Sequence, residues 1–328
     1  MVGVAVIGVG GWGQNHARVT SYLKADDLIS SLIFVDINRD RVKYIAKKFG
    51  AEYSTNIDEV LKREDIDAVI ISTPTPLHYA HGKKVIEAGK HLLMEKPLTE
   101  TVEQAKELIR LAKEQNLVFM VGFLLRYSVA TRYLKEMYEK KKLGKVFTIL
   151  AKRTGFMPTK PTEFDVVKDL AIHDIDLIRF IFNKKPLAVV ARGGGISKGS
   201  VDFASLFIEY ADEHEKNLTH AILEVNRITT PFKIRRMEIT AEKAVAILDL
   251  QQHVIQIMNE KGVFIPKLKV EEPLYLEDKN FVLSVMKKEK PLVTAEDGLI
   301  ALSVCEEALK MIELGKFEVK YLRDIYEL

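Results

Sequence analysis

Cysteine is almost absent from this chain of 328 residues: Cys305 is the only one, which excludes an internal disulfide framework and fits a reducing cytoplasm. It stands in the apolar stretch Ala301-Leu302-Ser303-Val304-Cys305 of an expected helix, where a buried, inert thiol is the simplest reading. Long apolar runs are lacking too, and none reaches the length of a membrane span. The apolar start, Met1 to Gly10, has neither a basic leader nor a cleavage signature, and reads as a strand rather than a signal peptide. Charge of one sign is also missing. Lys and Arg number 49 against 46 Asp and Glu, and a formal charge of +3 is too small to argue for nucleic acid or a membrane as partner. The basic cluster Lys140-Lys141-Lys142, near Lys145, is a solvated helix end running into a Leu143-Gly144 turn. There is no internal repeat, no low-complexity segment and no long linker. What is present is 47% hydrophobic and 29% charged residues, enough at this length for two cores rather than one.

The chain is organised around its first 25 residues. Val2-Gly3-Val4-Ala5-Val6-Ile7 is a short β-branched run that stops at Gly8-Val9-Gly10-Gly11-Trp12-Gly13, and Gln14 to Lys24 continue as a helix. Gly8 permits a tight turn, Gly10 lets backbone approach a pyrophosphate, and Gly13 lets the helix pack closely on the strand. Free N–H groups at the helix start then face the phosphates. A second apolar run, Leu32 to Val35, ends in Asp36, 23 residues past Gly13, where an acid can accept hydrogen bonds from the adenosine ribose. These features predict a dinucleotide site. Asp36 favours NAD over NADP, because a carboxylate repels a 2′-phosphate, and Arg39 just beyond it is the side chain that would argue the other way. Trp12 and Gly11 lie inside the loop, with Trp12 either under the cofactor or covering the helix start.

Strands then alternate with helices. A helix from Arg39 to Phe49 closes at Gly50, a capping box opens a short helix at Asn56, and strand 67–72 ends in Thr73-Pro74-Thr75-Pro76. A helix from His78 to Ala88, strand 91–94, the tripeptide Glu95-Lys96-Pro97, a helix from Thr101 to Gln115 and strand 117–121 come next. This order implies a doubly wound parallel sheet of Rossmann type, α/β in class, with ligands at the carboxyl ends of its strands. Beyond Gly122 a helix near 129–140, strand 146–153 and an amphipathic helical segment 169–182 precede six successive strands and a final helix, 295–314. The expected division is 1–122, a dinucleotide domain, and 123–328, an α+β domain with a large, mostly antiparallel sheet open on one face.

Asp169, His173 and Asp176 stand at i, i+4 and i+7, on one face of an expected helix. Periodicity alone allows a half-buried histidine beside a solvated acidic edge. Lys96 shifts the balance, since a lysine between an acid and a proline at a strand end has no packing role. Oxidising a secondary alcohol needs a base for the hydroxyl proton and a cation that favours an alkoxide-like transition state. Histidine suits the first task, and Asp169 would fix its ring or extend a proton path. His78 and His81 are spaced like a metal pair, but no acid or thiol cluster accompanies them, so no metal is expected. Arg126, Arg153 and Arg227 fall near element ends, each a candidate for an anionic substrate group or a plain ion pair.

Together these residues resemble the glucose-fructose oxidoreductase and inositol dehydrogenase (Gfo/Idh/MocA) family over essentially the whole chain. The marks are Gly8 to Gly13, Thr73-Pro74 with His78, Glu95-Lys96-Pro97, and the Asp-x-x-x-His-x-x-Asp run from Asp169 to Asp176, in which Ala171 replaces a glycine common in the family. The resemblance implies that Lys96 and His173 are catalytic with Asp169 as third member, that Glu95 neighbours the nicotinamide ribose, and that Lys96–Pro97 is cis. It places Thr73, Pro74 and His78 at the cofactor. It also implies a homodimer or homotetramer built through the second sheet, whose strand Ala221-Ile222-Leu223-Glu224-Val225 is apolar on both faces. A further match runs from Lys152-Arg153-Thr154-Gly155-Phe156 and Pro158 through Asp165-Val166-Val167 into the helix motif. It is similar to the group that oxidises C3 of UDP-N-acetylhexosamines, with Arg153 or Arg227 on the diphosphate. The alternatives are an inositol or free-sugar dehydrogenase and a dinucleotide-binding protein without turnover.

Overall fold

The computed structural model describes residues 1–156, 165–196, 200–212, 218–228, 232–315 and 319–322. Pro158 and most of the 211–217 turn lie outside them. The chain forms two compact units, Met1–Leu124 with Glu272–Leu299, and Leu125–Glu271 with Ile300–Leu328.

In the first unit the elements are β1 (Val2–Ile7), α1 (Gly13–Ala25), β2 (Ile29–Val35), α2 (Arg39–Phe49), β3 (Glu52–Ser54), α3 (Ile57–Leu61), β4 (Ala68–Ile71), α4 (His78–Glu87), β5 (His91–Glu95), α5 (Val102–Glu114) and β6 (Phe119–Gly122). The strands form one parallel sheet in the order β3-β2-β1-β4-β5-β6. The order reverses between β1 and β4, and the crevice at that switch point is where such sheets bind nucleotides. Every residue of β1, β4 and β6 is buried, as a sheet covered on both faces requires. Helix starts obey local chemistry: Asn38 caps α2, Asn56 caps α3, and Thr101 with Gln104 forms a capping box on α5.

The second unit begins with α6 (Val129–Glu139) and β7 (Val146–Thr154). A π turn (Val167–Ala171) leads directly into α7 (Ile172–Phe182). Then come β8 (Lys185–Gly194), β9 (Phe203–Ala211), β10 (Leu218–Asn226), β11 (Arg235–Ala241), β12 (Val245–Asp249), β13 (Val254–Asn259) and β14 (Gly262–Phe264). After α8 (Pro273–Val285) and α9 (Ala295–Leu314), β15 (Lys320–Tyr321) closes the sheet, whose order is β14-β13-β12-β11-β7-β10-β9-β8-β15. All pairs are antiparallel except β7 with β10, since the β8–β9–β10 meander returns its last strand beside the first strand of the unit.

Two expectations are corrected. Segment 272–299, assigned from sequence to the second domain, belongs to the first unit, because Leu274, Phe281 and Val282 of α8 enter the same core as Val19, Leu23 and Phe34. The 169–182 segment is not amphipathic: among residues 170–182 only Arg179 and Phe180 escape full burial, so this helix runs through the core rather than along its surface.

Candidate active site

The glycine loop has the shape that a dinucleotide requires. Gly8 adopts φ +85°, and a Cβ on Gly13 would lie 1.8 Å from the Gly8 carbonyl oxygen and 2.4 Å from Ser72 Oγ. No larger residue fits at Gly13 without parting the helix from the strand. No side chain caps α1 and no acid occupies its first turn, so the helix start is open to an anion. A Cβ on Gly11 would meet nothing within 4 Å, and one on Gly10 only the Arg41 guanidinium, at 3.6 Å. Gly8, Gly10 and Gly11, with Asp36, Ile37, Arg41, Ser72, Thr73 and Pro74, line a cavity of about 540 Å³. The free backbone, the uncapped helix and the carboxylate at the end of β2 together fit NAD.

Asp36 is buried and preorganised. Its Oδ2 accepts from Val9 N at 3.1 Å, and its Oδ1 accepts from Asn38 N at 2.9 Å. The arginine beside it is Arg41, with Nη1 3.3 Å from Oδ2, whereas Arg39 is exposed and lies outside the cavity lining. Helical rotation explains the substitution: Arg41 sits two residues further into α2 and turns back toward the loop, a placement the sequence alone does not give.

At the end of β5, Lys96 is half-buried and Lys96–Pro97 is cis. Glu95 is buried, its Oε2 accepts from Lys96 N at 3.0 Å, and its Oε1 accepts from Trp12 Nε1 at 2.6 Å. Trp12 therefore ties the glycine loop to the Glu95-Lys96 strand end, a role outside both sequence readings. His78 is a correction. It is fully buried, both ring nitrogens face backbone carbonyls, of Thr73 at 2.9 Å and Pro97 at 3.0 Å, and it does not line the cavity. Burial lowers its pKa, so a neutral ring donates to one carbonyl at a time and braces the β4 and β5 ends against each other. His81, a few residues on, does line the cavity. Among the described residues no His, Cys, Asp and Glu cluster suits a metal.

In the second unit the helix motif is split. Asp169 sits half-buried in the π turn, with its N–H donating to Asp165 O at 3.0 Å, and His173, 8% exposed, falls in the first turn of α7. A π turn inserted into a helix rotates the residues before it relative to those after it, so simple i, i+4 spacing does not describe this pair. The last acid of the motif, Asp176, is no part of a solvated edge: it is buried against Arg126, whose Nε lies 2.9 Å from Oδ2. Two residues before it, Asp174 takes a bidentate grip from Arg153, Nε to Oδ2 at 2.6 Å and Nη2 to Oδ1 at 2.9 Å. Burial lifts the Asp174 carboxyl above its ordinary range while Arg153, and then Arg235, pull it back.

Arg153 and Arg227 are thereby corrected as diphosphate ligands. Arg153 is 0% exposed and committed to Asp174, and Arg227, 6% exposed, donates from Nε to Asp202 Oδ1 at 2.7 Å. Burial opposes ionisation of Asp202, but Ser200 and Arg227 outweigh it and bring the carboxyl down to about 2. The arginine that sequence reasoning missed is Arg235. It pairs in register with Arg153 across β11 and β7 and is half-buried. Burial and then Arg153 lower its pKa, against the attraction of the Asp169 and Asp174 carboxylates. An arginine just past the 229–231 stretch carries no sequence signal for this, because strand register alone brings it opposite Arg153.

An open glycine cradle on a Rossmann sheet, with an acid at the second strand end, defines a dinucleotide-binding protein. Residues 2–123 match the oxidoreductase family with an NAD-binding Rossmann fold, and residues 131–247 match the GFO/IDH/MocA C-terminal domain. A UDP-N-acetylglucosamine 3-dehydrogenase from Acidithiobacillus ferrooxidans is 30% identical over 262 residues, covering 80% of this chain and 78% of that protein. A scyllo-inositol 2-dehydrogenase (NAD(+)) from Bacillus subtilis is 30% identical over 322 residues, 92% of this chain and 91% of the relative. Among solved structures, the A. ferrooxidans enzyme superposes with a TM-score of 0.84 at 25% identity, over 96% of this chain and 99% of that one. The chain belongs to the Gfo/Idh/MocA family and is an oxidoreductase acting on CH–OH groups with NAD as cofactor.

Proposed function

We propose that the protein oxidises a secondary ring hydroxyl of a sugar, with C3 of a UDP-N-acetylhexosamine as the specific substrate position. The observation that carries the site assignment is the π turn running into α7, which presents Asp169 half-buried and His173 one turn on, in the same unit as the half-buried Arg235. Bound NAD supplies the hydride acceptor. His173 takes the hydroxyl proton, Asp169 orients its ring, and the Lys96 ammonium favours the alkoxide-like transition state. The A. ferrooxidans relative supports the nucleotide sugar. With Arg153 and Arg227 held in buried pairs, Arg235 is the cation of these three that can receive a substrate phosphate or hydroxyl.

A second reading, a free polyol such as an inositol, has its own support in those two locked arginines and in the longer match to the inositol enzyme. An NADH-formation screen of UDP-N-acetylglucosamine, its uronic acid, UDP-glucose, myo-inositol and glucose separates them. With the nucleotide sugar, Arg235→Ala should raise KM about 10- to 100-fold, the worth of one or two charge-assisted hydrogen bonds. Turnover of inositol alone, with KM unmoved in Arg235→Ala, overturns the nucleotide-sugar reading.

The same reading includes a homodimer or homotetramer formed through the second sheet. Leu150, Ile222 and Phe207 form one row across β7, β10 and β9. With Phe147, Phe203 and Leu218 they are between 41% and 48% exposed, an apolar strip that invites a second copy. Sedimentation at micromolar concentration should show an oligomer, and Ile222→Asp should dissociate it. A stable wild-type monomer contradicts this assembly.

A further inference from the structure

Behind the Glu95-Lys96 strand end lies a buried chain of charges that the proposed mechanism does not use. His16 on α1 is 0% exposed. Its Nδ1 is 2.9 Å and 3.1 Å from the two carboxylate oxygens of Asp278 on α8, and its Nε2 is 3.1 Å from Glu95 Oε1. Each ring nitrogen thus faces a carboxyl group, and with both acids ionised the arrangement is satisfied when both nitrogens carry a proton. Glu95 in turn accepts from the Trp12 indole and from Lys96 N. Gly122 on the neighbouring strand leaves the space for it, since a Cβ there would lie 3.0 Å from its carboxyl atoms.

We propose that His16, held as an imidazolium by Asp278, is a positioning residue that keeps Glu95 ionised and aimed at Trp12 and the Lys96 backbone. It thereby fixes the glycine loop and the lysine-bearing strand end relative to each other. This rests on the reading of Glu95-Lys96 as the reacting edge of the nucleotide site. A carboxylate as buried as Glu95 is costly without a compensating cation. Burial works against the charge on His16, but Asp278 and then Glu95 outweigh it and raise its pKa well above the ordinary value. Glu95 is correspondingly held below the usual range: burial raises it, while His16, Lys96 and Trp12 lower it. Burial lifts the Asp278 carboxyl above its ordinary range while His16 draws it down, and the other charges facing this group are Glu272, which also raises Asp278 and is itself paired with Arg18 of α1, and Lys96. Neither His16 nor Asp278 stands out in sequence, because 262 residues separate them.

Trp12 is the only tryptophan, so its emission reports the Glu95 contact directly. In the full-length wild type, emission and NAD affinity should be flat around neutral pH, because Glu95 is held below its ordinary range and His16 above it. In His16→Gln the buried Glu95 loses its cation, and burial then raises its pKa toward neutral pH. Trp12 emission should then shift with pH, and NAD affinity should fall up to about tenfold per pH unit on the acid side of the new midpoint. Asp278→Asn should act in the same direction and carries the test if His16→Gln fails to fold. Adding His16→Gln to Glu95→Gln should introduce no further pH dependence. Folded variants with wild-type, pH-independent emission and NAD affinity overturn the proposal and leave the histidine as core packing. Both readouts are made without an alcohol, so absence of turnover tests the dehydrogenase reading separately.

Discussion

His173→Ala and Lys96→Ala should each lower kcat by about two to four orders of magnitude, the usual worth of positioned general acid–base catalysis. NAD affinity should change by no more than a few-fold in either variant. The reason for the split lies in where each residue sits. The pyrophosphate cradle would be backbone, the N–H groups of the glycine loop and the open start of α1, with the Asp36 carboxylate for the ribose, and none of these depends on His173 or on the Lys96 ammonium. His173 is buried at the start of α7, in a part of the core fastened by two ion pairs. Its removal should therefore take away the proposed proton acceptor without unseating the helix. Stopped-flow reduction of NAD, with NAD affinity from Trp12 quenching, measures both quantities. Normal turnover in both variants assigns the helix motif to structure alone.

The second large effect concerns stability. Asp174→Ala should destabilise the protein by roughly 3–5 kcal/mol, because it strands the fully buried Arg153 without its carboxylate. Arg153→Ala should cost a similar amount from the other side, and pairing Arg153→Met with Asp174→Leu should recover much of it, since a buried ion pair often breaks even against apolar residues of like volume. Denaturant midpoints for the three variants check this. A selective loss of nucleotide-sugar over inositol turnover in Arg153→Ala, at unchanged stability, would restore the diphosphate role for this arginine.

The contrast between the two arginine roles shows what a linear sequence can convey. Local chemistry was readable: the glycine loop after an apolar strand, the caps at Asn38 and Asn56, the final helix at 295–314 and its closing Gly315 are all set by neighbours within a few residues. The alternation of strands and helices gave the parallel sheet for the same reason. The three-residue strand β3 is too short to show a period. What escaped depends on long-range pairing. Arg153 meets Asp174, Arg227 meets Asp202, and His16 meets Asp278 only after the sheets and helices have closed, and each pairing changes a residue's role from ligand or bystander to brace. The π turn before His173 is a backbone irregularity with no compositional mark, and the return of α8 to the first core is invisible to any reading that divides the chain once.

The most direct test of the account is NADH formation by the wild-type chain over the panel of five ring alcohols, run beside His173→Ala under the same conditions. The account predicts that at least one of them reduces NAD and that the variant loses that activity by about two orders of magnitude or more. NAD binding at normal affinity, with no reduction of NAD by any alcohol in the panel, is the result that would contradict it and identify a dinucleotide-binding protein without turnover.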